Sequence, residues 1–265
     1  MGSVLITGGT SGIGLAACRA LAADGYRVFA TSRNQPADAL GANIDWIAMD
    51  VCSDESVDKA VTEVLAACGS LDALVCNAGF GIFGSIEEVS MEAYQRQLDT
   101  NLGGTLRVLK RVLPQMREAR SGRIALLGSI AGRATIPFQA HYSASKAAVE
   151  AIASGLYNEM RPFGIRVSLI EPGDINTPFN AAMEWEQGRN SHYAERIRST
   201  ERVILESLPK APGPEVVADA IVKALTARRP RFRYTVGPDS LIMPLGKRLL
   251  PDWLVLRFIR DHFKI

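Results

Sequence analysis

With 265 residues, 47% of them hydrophobic, the chain can bury the core of one α/β domain, and a single domain over 1–265 is the expectation. Its formal net charge of +2, without a run of five or more basic residues, excludes nucleic acid as a partner. Its four cysteines, Cys18, Cys52, Cys68 and Cys76, show neither zinc nor disulfide spacing, so no metal is expected and the thiols read as those of a reduced, cytoplasmic protein.

The first apolar run, Ser3 to Thr7, starts so early that no signal peptide is expected, and no uninterrupted apolar stretch reaches the length of a membrane span. Strand-like runs occur at Val4 to Thr7, Arg27 to Thr31, Ile44 to Met49, Ala73 to Val75, Arg123 to Leu127, Arg166 to Ile170 and Arg233 to Val236. Each is followed by a helix-like or loop segment. This alternation predicts an α/β, doubly wound, Rossmann-type parallel sheet of about seven strands with helices on both faces. Ligands of such sheets sit at the carboxyl ends of the strands. Gly8 to Gly14, Arg33, Asp50, Asn77 to Gly79, Ser129 and Pro172-Gly173 all come just after a strand-like run, so one crevice can collect them.

From Thr177 to Pro214 the pattern breaks into mixed charge, with Trp185, His192 and Tyr193, and closes in a Pro-rich exit. The stretch 178–214 reads as a mobile, partly helical lid over the crevice or as an ordered helical insertion. The last segment, 241–265, interleaves Leu249, Leu250, Trp253, Leu254, Leu256, Phe258, Ile259 and Phe263 with Lys247, Arg248, Arg257, Arg260 and Lys264. Basic amphipathic character of this kind suits contact with a membrane surface, or packing on the domain or on a partner subunit.

The turn Thr7-Gly8-Gly9-Thr10-Ser11-Gly12-Ile13-Gly14 follows a strand and opens a helix-like run, Ile13 to Ala23. It therefore offers backbone N–H groups and a helix N-terminus to a pyrophosphate. After the second strand, Ala30-Thr31-Ser32-Arg33-Asn34 presents no carboxylate for ribose hydroxyls, whereas Arg33 suits a 2′-phosphate. That favours NADP over NAD, with a solvated surface arginine as the plain alternative. Tyr142 and Lys146 are four apart and share one helix face, where an ammonium favours the phenolate and lowers the tyrosine pKa. Such a pair suits redox chemistry on a carbonyl or alcohol.

The glycine spacing, together with Asn77-Ala78-Gly79, Asn101, Ser129, Tyr142-x-x-x-Lys146 and Pro172-Gly173, resembles the short-chain dehydrogenase/reductase family from about Val4 to Thr177. The thirteen positions from Ser129 to Tyr142 match the family's active-site interval. The resemblance implies a catalytic set of Asn101, Ser129, Tyr142 and Lys146. Ser129 hydrogen-bonds the substrate oxygen, Tyr142 exchanges the proton, Lys146 binds the nicotinamide ribose, and Asn101 holds a water that connects Lys146 to solvent. It also implies a cofactor site of Gly8, Thr10, Ser11, Gly12, Ile13, Gly14, Arg33, Asp50, Val51, Asn77, Ala78, Gly79, Tyr142, Lys146, Pro172, Gly173, Ile175 and Thr177. Asp50 and Val51 there hold the adenine, and Ile175 and Thr177 meet the carboxamide. Asp174 departs from the apolar or small residues more frequent at its position, and Ser11 stands where many NADP enzymes of the family carry a second basic residue. Family members commonly form dimers or tetramers, so a homo-oligomer is expected.

Phe80, Ile82, Phe83, Ile130, Ala131, Pro137, Phe138, Phe179, Met183 and Trp185 flank the matched positions and are the candidate pocket residues. Their apolar character points to a small-molecule ketone, aldehyde or secondary alcohol of steroid, retinoid or fatty type. His141 beside Tyr142 reads as structural or pocket-lining. The rivals are an NAD-dependent alcohol dehydrogenase of the same family and a non-catalytic protein that senses NADPH. An intact Ser129, Tyr142 and Lys146 set argues against the second, which has no use for a proton donor.

Overall fold

The computed structural model describes residues 2–181, 183–185, 192–237, 246 and 249–265. Seven strands, β1 (Ser3–Thr7), β2 (Arg27–Ser32), β3 (Ile44–Ala48), β4 (Ala73–Cys76), β6 (Gly122–Leu127), β7 (Ile165–Pro172) and β9 (Arg233–Val236), form one sheet in the order β3-β2-β1-β4-β6-β7-β9. Every pairing in it is parallel. All seven expected runs are strands, each shifted by at most two residues at an end. A second sheet, not anticipated, pairs β5 (Ile82–Phe83) with β8 (Glu184–Trp185). Two residues are too short for an alternating pattern, and their partners lie about a hundred positions apart in the chain.

The strand order reverses between β1 and β4, which opens a crevice at the carboxyl ends of the central strands. Alternate residues of each strand feed opposite layers. Val4 and Ile6 of β1 pack with Ala17 and Leu21 of α1 (Gly12–Ala23) and with Val217, Ile221 and Leu225 of α8 (Glu215–Thr226). Leu5 faces the other way, into Val57, Val61 and Val64 of α2 (Asp54–Cys68), Val108 and Val112 of α4 (Gly104–Glu118) and Val149 and Leu156 of α5 (Ala140–Met160). A strand buried on both faces reads as a continuous apolar run, which is why β1 carried no polar alternation.

Between α3 (Met91–Leu98) and α4 the chain makes a π-helical turn over Asp99–Gly103. The 178–214 stretch contains α6 (Pro178–Ala181), β8 and α7 (Ala194–Ser207), and α9 (Asp252–Phe263) closes the chain. Ile259 and Phe263 of α9 are buried against Ala134, Ile136, Val203 and Ile204. One face of the C-terminal segment therefore packs on the domain. No helix among the described residues is long and apolar enough to cross a membrane.

Candidate active site

The glycine turn is shaped by steric exclusion. Gly8 sits at φ +63, and a Cβ on Gly14 would stand 2.1 Å from the Gly8 carbonyl oxygen, so the chain folds back on itself more closely than a side chain permits. The turn is braced from β4: Asn77 Nδ2 donates to the carbonyls of Thr7 (2.9 Å) and Gly8 (3.1 Å), and the N–H groups of Asn77 and Ala78 both donate to Thr7 Oγ1 at 2.9 Å. At the N-cap of α1, Ser11 makes no side-chain capping bond, and the first turn carries no acidic residue. The leading N–H groups and the positive end of the helix dipole are left to an anion, and these features fit the pyrophosphate of a dinucleotide.

Ser129 lies two residues past the end of β6, at the N-cap of a 3-10 turn over Ile130–Gly132, and Tyr142 and Lys146 lie one turn apart on α5. Lys146 is 6% exposed, its Nζ donates to the Leu127 carbonyl at 2.9 Å and lies 5.8 Å from the centre of the Tyr142 ring. Burial lowers Lys146 to about 8. Burial among apolar walls pushes the Tyr142 phenol up to about 12, and the Ser129 side chain, within its reach, works in the opposite direction. The expectation of a lowered tyrosine pKa is thus corrected for the protein by itself. Desolvation disfavours the phenolate, and it also weakens the positive charge that Lys146 can bring.

Asn101 is 1% exposed within the π-helical turn. Its carbonyl accepts from Thr105 Oγ1 at 2.9 Å. Its side chain accepts from the Phe80 N–H at 3.0 Å and donates to the Phe80 carbonyl (3.0 Å) and to Ser145 Oγ (2.9 Å). Ser145 in turn donates to the Tyr142 carbonyl at 2.7 Å. Asn101 therefore ties the β4–β5 loop to the helix that carries Tyr142, and its direct bonds run to Phe80 and Ser145 rather than to Lys146.

One cavity of about 880 Å³ is lined by Gly8, Ser11, Gly12, Ile13, Asn77, Ala78, Gly79, Ser129, Tyr142, Lys146, Pro172, Gly173, Ile175 and Thr177. Thr10, Gly14, Arg33, Asp50, Val51 and Asn101 are outside its lining. Arg33 is exposed just past β2, Asp50 Oδ1 accepts from the Cys52 N–H, and Val51 is buried against Gly104. Of the candidate pocket residues, Phe80, Ile130, Ala131, Phe179 and Met183 line the cavity. Ile82 and Phe83 belong to core clusters instead, Phe138 packs between Phe83 and Tyr193, and Pro137 is outside the lining. The Trp185 side chain, 241–245, Lys247 and Arg248 lie outside the described residues.

Several contributors went unread in the sequence. Thr7 and Ser145 act through hydrogen bonds that only the packed strands and helices create. Gln139 lines the wall beside Tyr142, and Val255, Phe258 and Ile259 of α9 reach the same cavity from more than a hundred positions away. His141 rests against Tyr94, with 5.5 Å between ring centres, and its buried Nδ1 has no hydrogen-bond partner among the described residues.

A family model described as short chain dehydrogenase matches residues 3–188. A protein of Bacteroides thetaiotaomicron named 3-ketodihydrosphingosine reductase is 36% identical, covering 99% of this chain and 98% of its own. Human 17-beta-hydroxysteroid dehydrogenase type 1 is 35% identical over 94% of this chain and 81% of its own. The crystal structure of a short-chain dehydrogenase from Streptomyces avermitilis superposes with a TM-score of 0.83 at 30% identity, covering 99% of this chain and 96% of that one. A match over most of the length, on the same sheet, establishes that the chain belongs to the short-chain dehydrogenase/reductase family, oxidoreductases acting on CH–OH groups with a nicotinamide cofactor.

Proposed function

We propose that this enzyme transfers hydride between NADP(H) and a carbonyl or secondary alcohol of a lipophilic small molecule, with Tyr142 as the proton donor and acceptor. The observation that carries the reading is the convergence of Ser129, Tyr142 and Lys146 on the cavity that also meets the glycine turn. The bound nicotinamide supplies or takes the hydride at the reacting carbon. Ser129 donates a hydrogen bond to the substrate oxygen, and Tyr142 passes its phenolic proton to that oxygen as the C=O becomes CH–OH; oxidation reverses both moves. Tyr142 is a protonated phenol at neutral pH and so carries the proton that the reductive direction needs. Lys146, already anchored to the Leu127 carbonyl, presents its remaining donors to the ribose hydroxyls and its charge to the phenolate.

Support for NADP comes from Arg33, exposed where β2 ends, with no carboxylate in the Ala30–Asn34 stretch. The apolar lining supports a lipophilic substrate, as do relatives named for a ketodihydrosphingosine and for hydroxysteroids. Stretch 178–214 serves as the cover of this pocket in the same reading, since Phe179, Met183 and Ile204 face it. Four free thiols, two of them buried, accord with a reducing, cytoplasmic setting. The homo-oligomer expected from the family is part of the same proposal.

The test is NADPH oxidation against a panel of lipophilic ketones and aldehydes at neutral pH. Tyr142→Phe is expected to lower kcat by about a hundredfold to ten-thousandfold while NADPH affinity stays within about threefold. Retention of most of the turnover removes Tyr142 from its role.

A further inference from the structure

Gln139 occupies the position just before α5, three residues ahead of Tyr142, and is 4% exposed in the cavity wall. Its side chain does not cap the helix. The one hydrogen bond that side chain makes among the described residues runs from Nε2 to the Met183 thioether, at 3.1 Å. A buried amide ordinarily satisfies two donors and a carbonyl with strong partners, and sulfur is a weak acceptor. Among the described residues Gln139 therefore keeps hydrogen-bonding capacity in reserve, on a wall of the cavity shared with Ile136, Phe179 and Met183.

The backbone around it is held firmly. Phe138, directly before it, is at φ +60, a conformation that non-glycine residues adopt only where their surroundings impose it. The Phe138 carbonyl accepts from the Gly84 N–H at 2.8 Å and its ring is flanked by Phe83 and Tyr193. The Gln139 N–H donates to the Ile136 carbonyl at 3.1 Å. Its wall is continuous with the tyrosine: the Phe179 ring lies 5.7 Å from that of Tyr142, and Met183 shares a cluster with Phe179. Side chains three apart at a helix start lie about 5–6 Å from one another, so the amide reaches a group one or two atoms from a carbonyl held at Tyr142.

We propose that Gln139 is a specificity-determining residue that reads a second polar group of the substrate. The compounds reduced here carry a hydroxyl or amine one or two atoms from the reacting carbon, followed by an apolar tail that lies along Val255 and Ile259. This rests on the lipophilic carbonyl reading above. The chemistry is a hydrogen bond that displaces a thioether contact. A ligand without the polar group leaves the amide underpaired, which is the kind of loss that separates substrates strongly.

The test compares wild type and Gln139→Leu, with NADPH, on a long-chain methyl ketone and on its α-hydroxy derivative of equal chain length. Wild type is expected to favour the hydroxy ketone in kcat/KM by about tenfold or more, and Gln139→Leu to lose about tenfold to a hundredfold on it. On the plain ketone the variant should lose less than on the hydroxy ketone, and an NADPH affinity and circular dichroism spectrum like those of wild type show that it is folded. Gln139→Glu should shift preference from the hydroxy ketone towards the α-amino ketone. Equal use of the two ketones by wild type, or equal losses on both in Gln139→Leu, overturns the role of Gln139 while Tyr142-dependent turnover keeps the enzyme reading standing. Failure of every ketone to turn over in a Tyr142-dependent way sinks the lipophilic carbonyl reading and this inference with it.

Discussion

Arg33 is the side chain on which cofactor choice turns in our reading. It stands exposed past the end of β2, where a guanidinium meets a phosphate in two parallel hydrogen bonds and a ribose hydroxyl in weaker ones. Arg33→Ala is expected to weaken NADP binding by about tenfold to a hundredfold and to leave NAD nearly unchanged, a charge-assisted bond contributing about 1.5–3 kcal/mol. Titration of both dinucleotides by fluorescence measures it, and equal losses would mean that Arg33 is a solvated surface residue. Tyr142 illustrates why a residue's type and its state are separate questions. Its spacing from Lys146 was legible, but the sign of its pKa shift depends on how dry the helix face is, and the spacing says nothing about that.

At the scale of elements, the first βα turn is the least forgiving part of the molecule. Gly14 faces the Gly8 carbonyl at a distance that a methyl group cannot share, and Asn77 Nδ2 stands 2.7 Å from the same point. Gly14→Ala must push the helix start away from the strand. It is expected to cost about 2–4 kcal/mol in stability by chemical denaturation and to weaken dinucleotide binding at least tenfold. A variant with wild-type stability would show that the turn relaxes freely. The same scale separates what spacing reveals from what it hides. A five-residue π turn gives no periodic signal of its own, and the bonds of Asn101 to Phe80 and Ser145 need α3, α5 and the β4–β5 loop already in place.

On the whole-molecule scale the C-terminal helix closes one side of the cavity. Ile259 and Phe263 are buried beneath it, whereas Trp253 (65% exposed) and Leu256 (62% exposed) share an outer face with Arg257 and Arg260. Ending the chain before Pro251 removes two buried side chains and a cavity wall. The truncated protein is expected to lose about 3 kcal/mol or more in stability, and its KM for long apolar ketones should rise at least fivefold while short ketones change little. Calorimetry and steady-state kinetics check the two arms, and an unchanged KM for the long ketone would take α9 out of the pocket.

The sequence by itself determined the seven-strand parallel sheet, the glycine turn after β1, and the Ser129, Tyr142 and Lys146 spacing. These are local: a doubly buried strand must be apolar throughout, a tight turn must be glycine, and helix geometry fixes which residues share a face. Only the tertiary structure decided which apolar residues form pocket and which form core. Ile82 and Phe83 are as hydrophobic as Phe80 and Phe179, and nothing in their chemistry tells which side of the wall they occupy. It also brought in Gln139 and α9, because a cavity is a surface shared by segments distant in the chain, and no local pattern records which distant segment will close it.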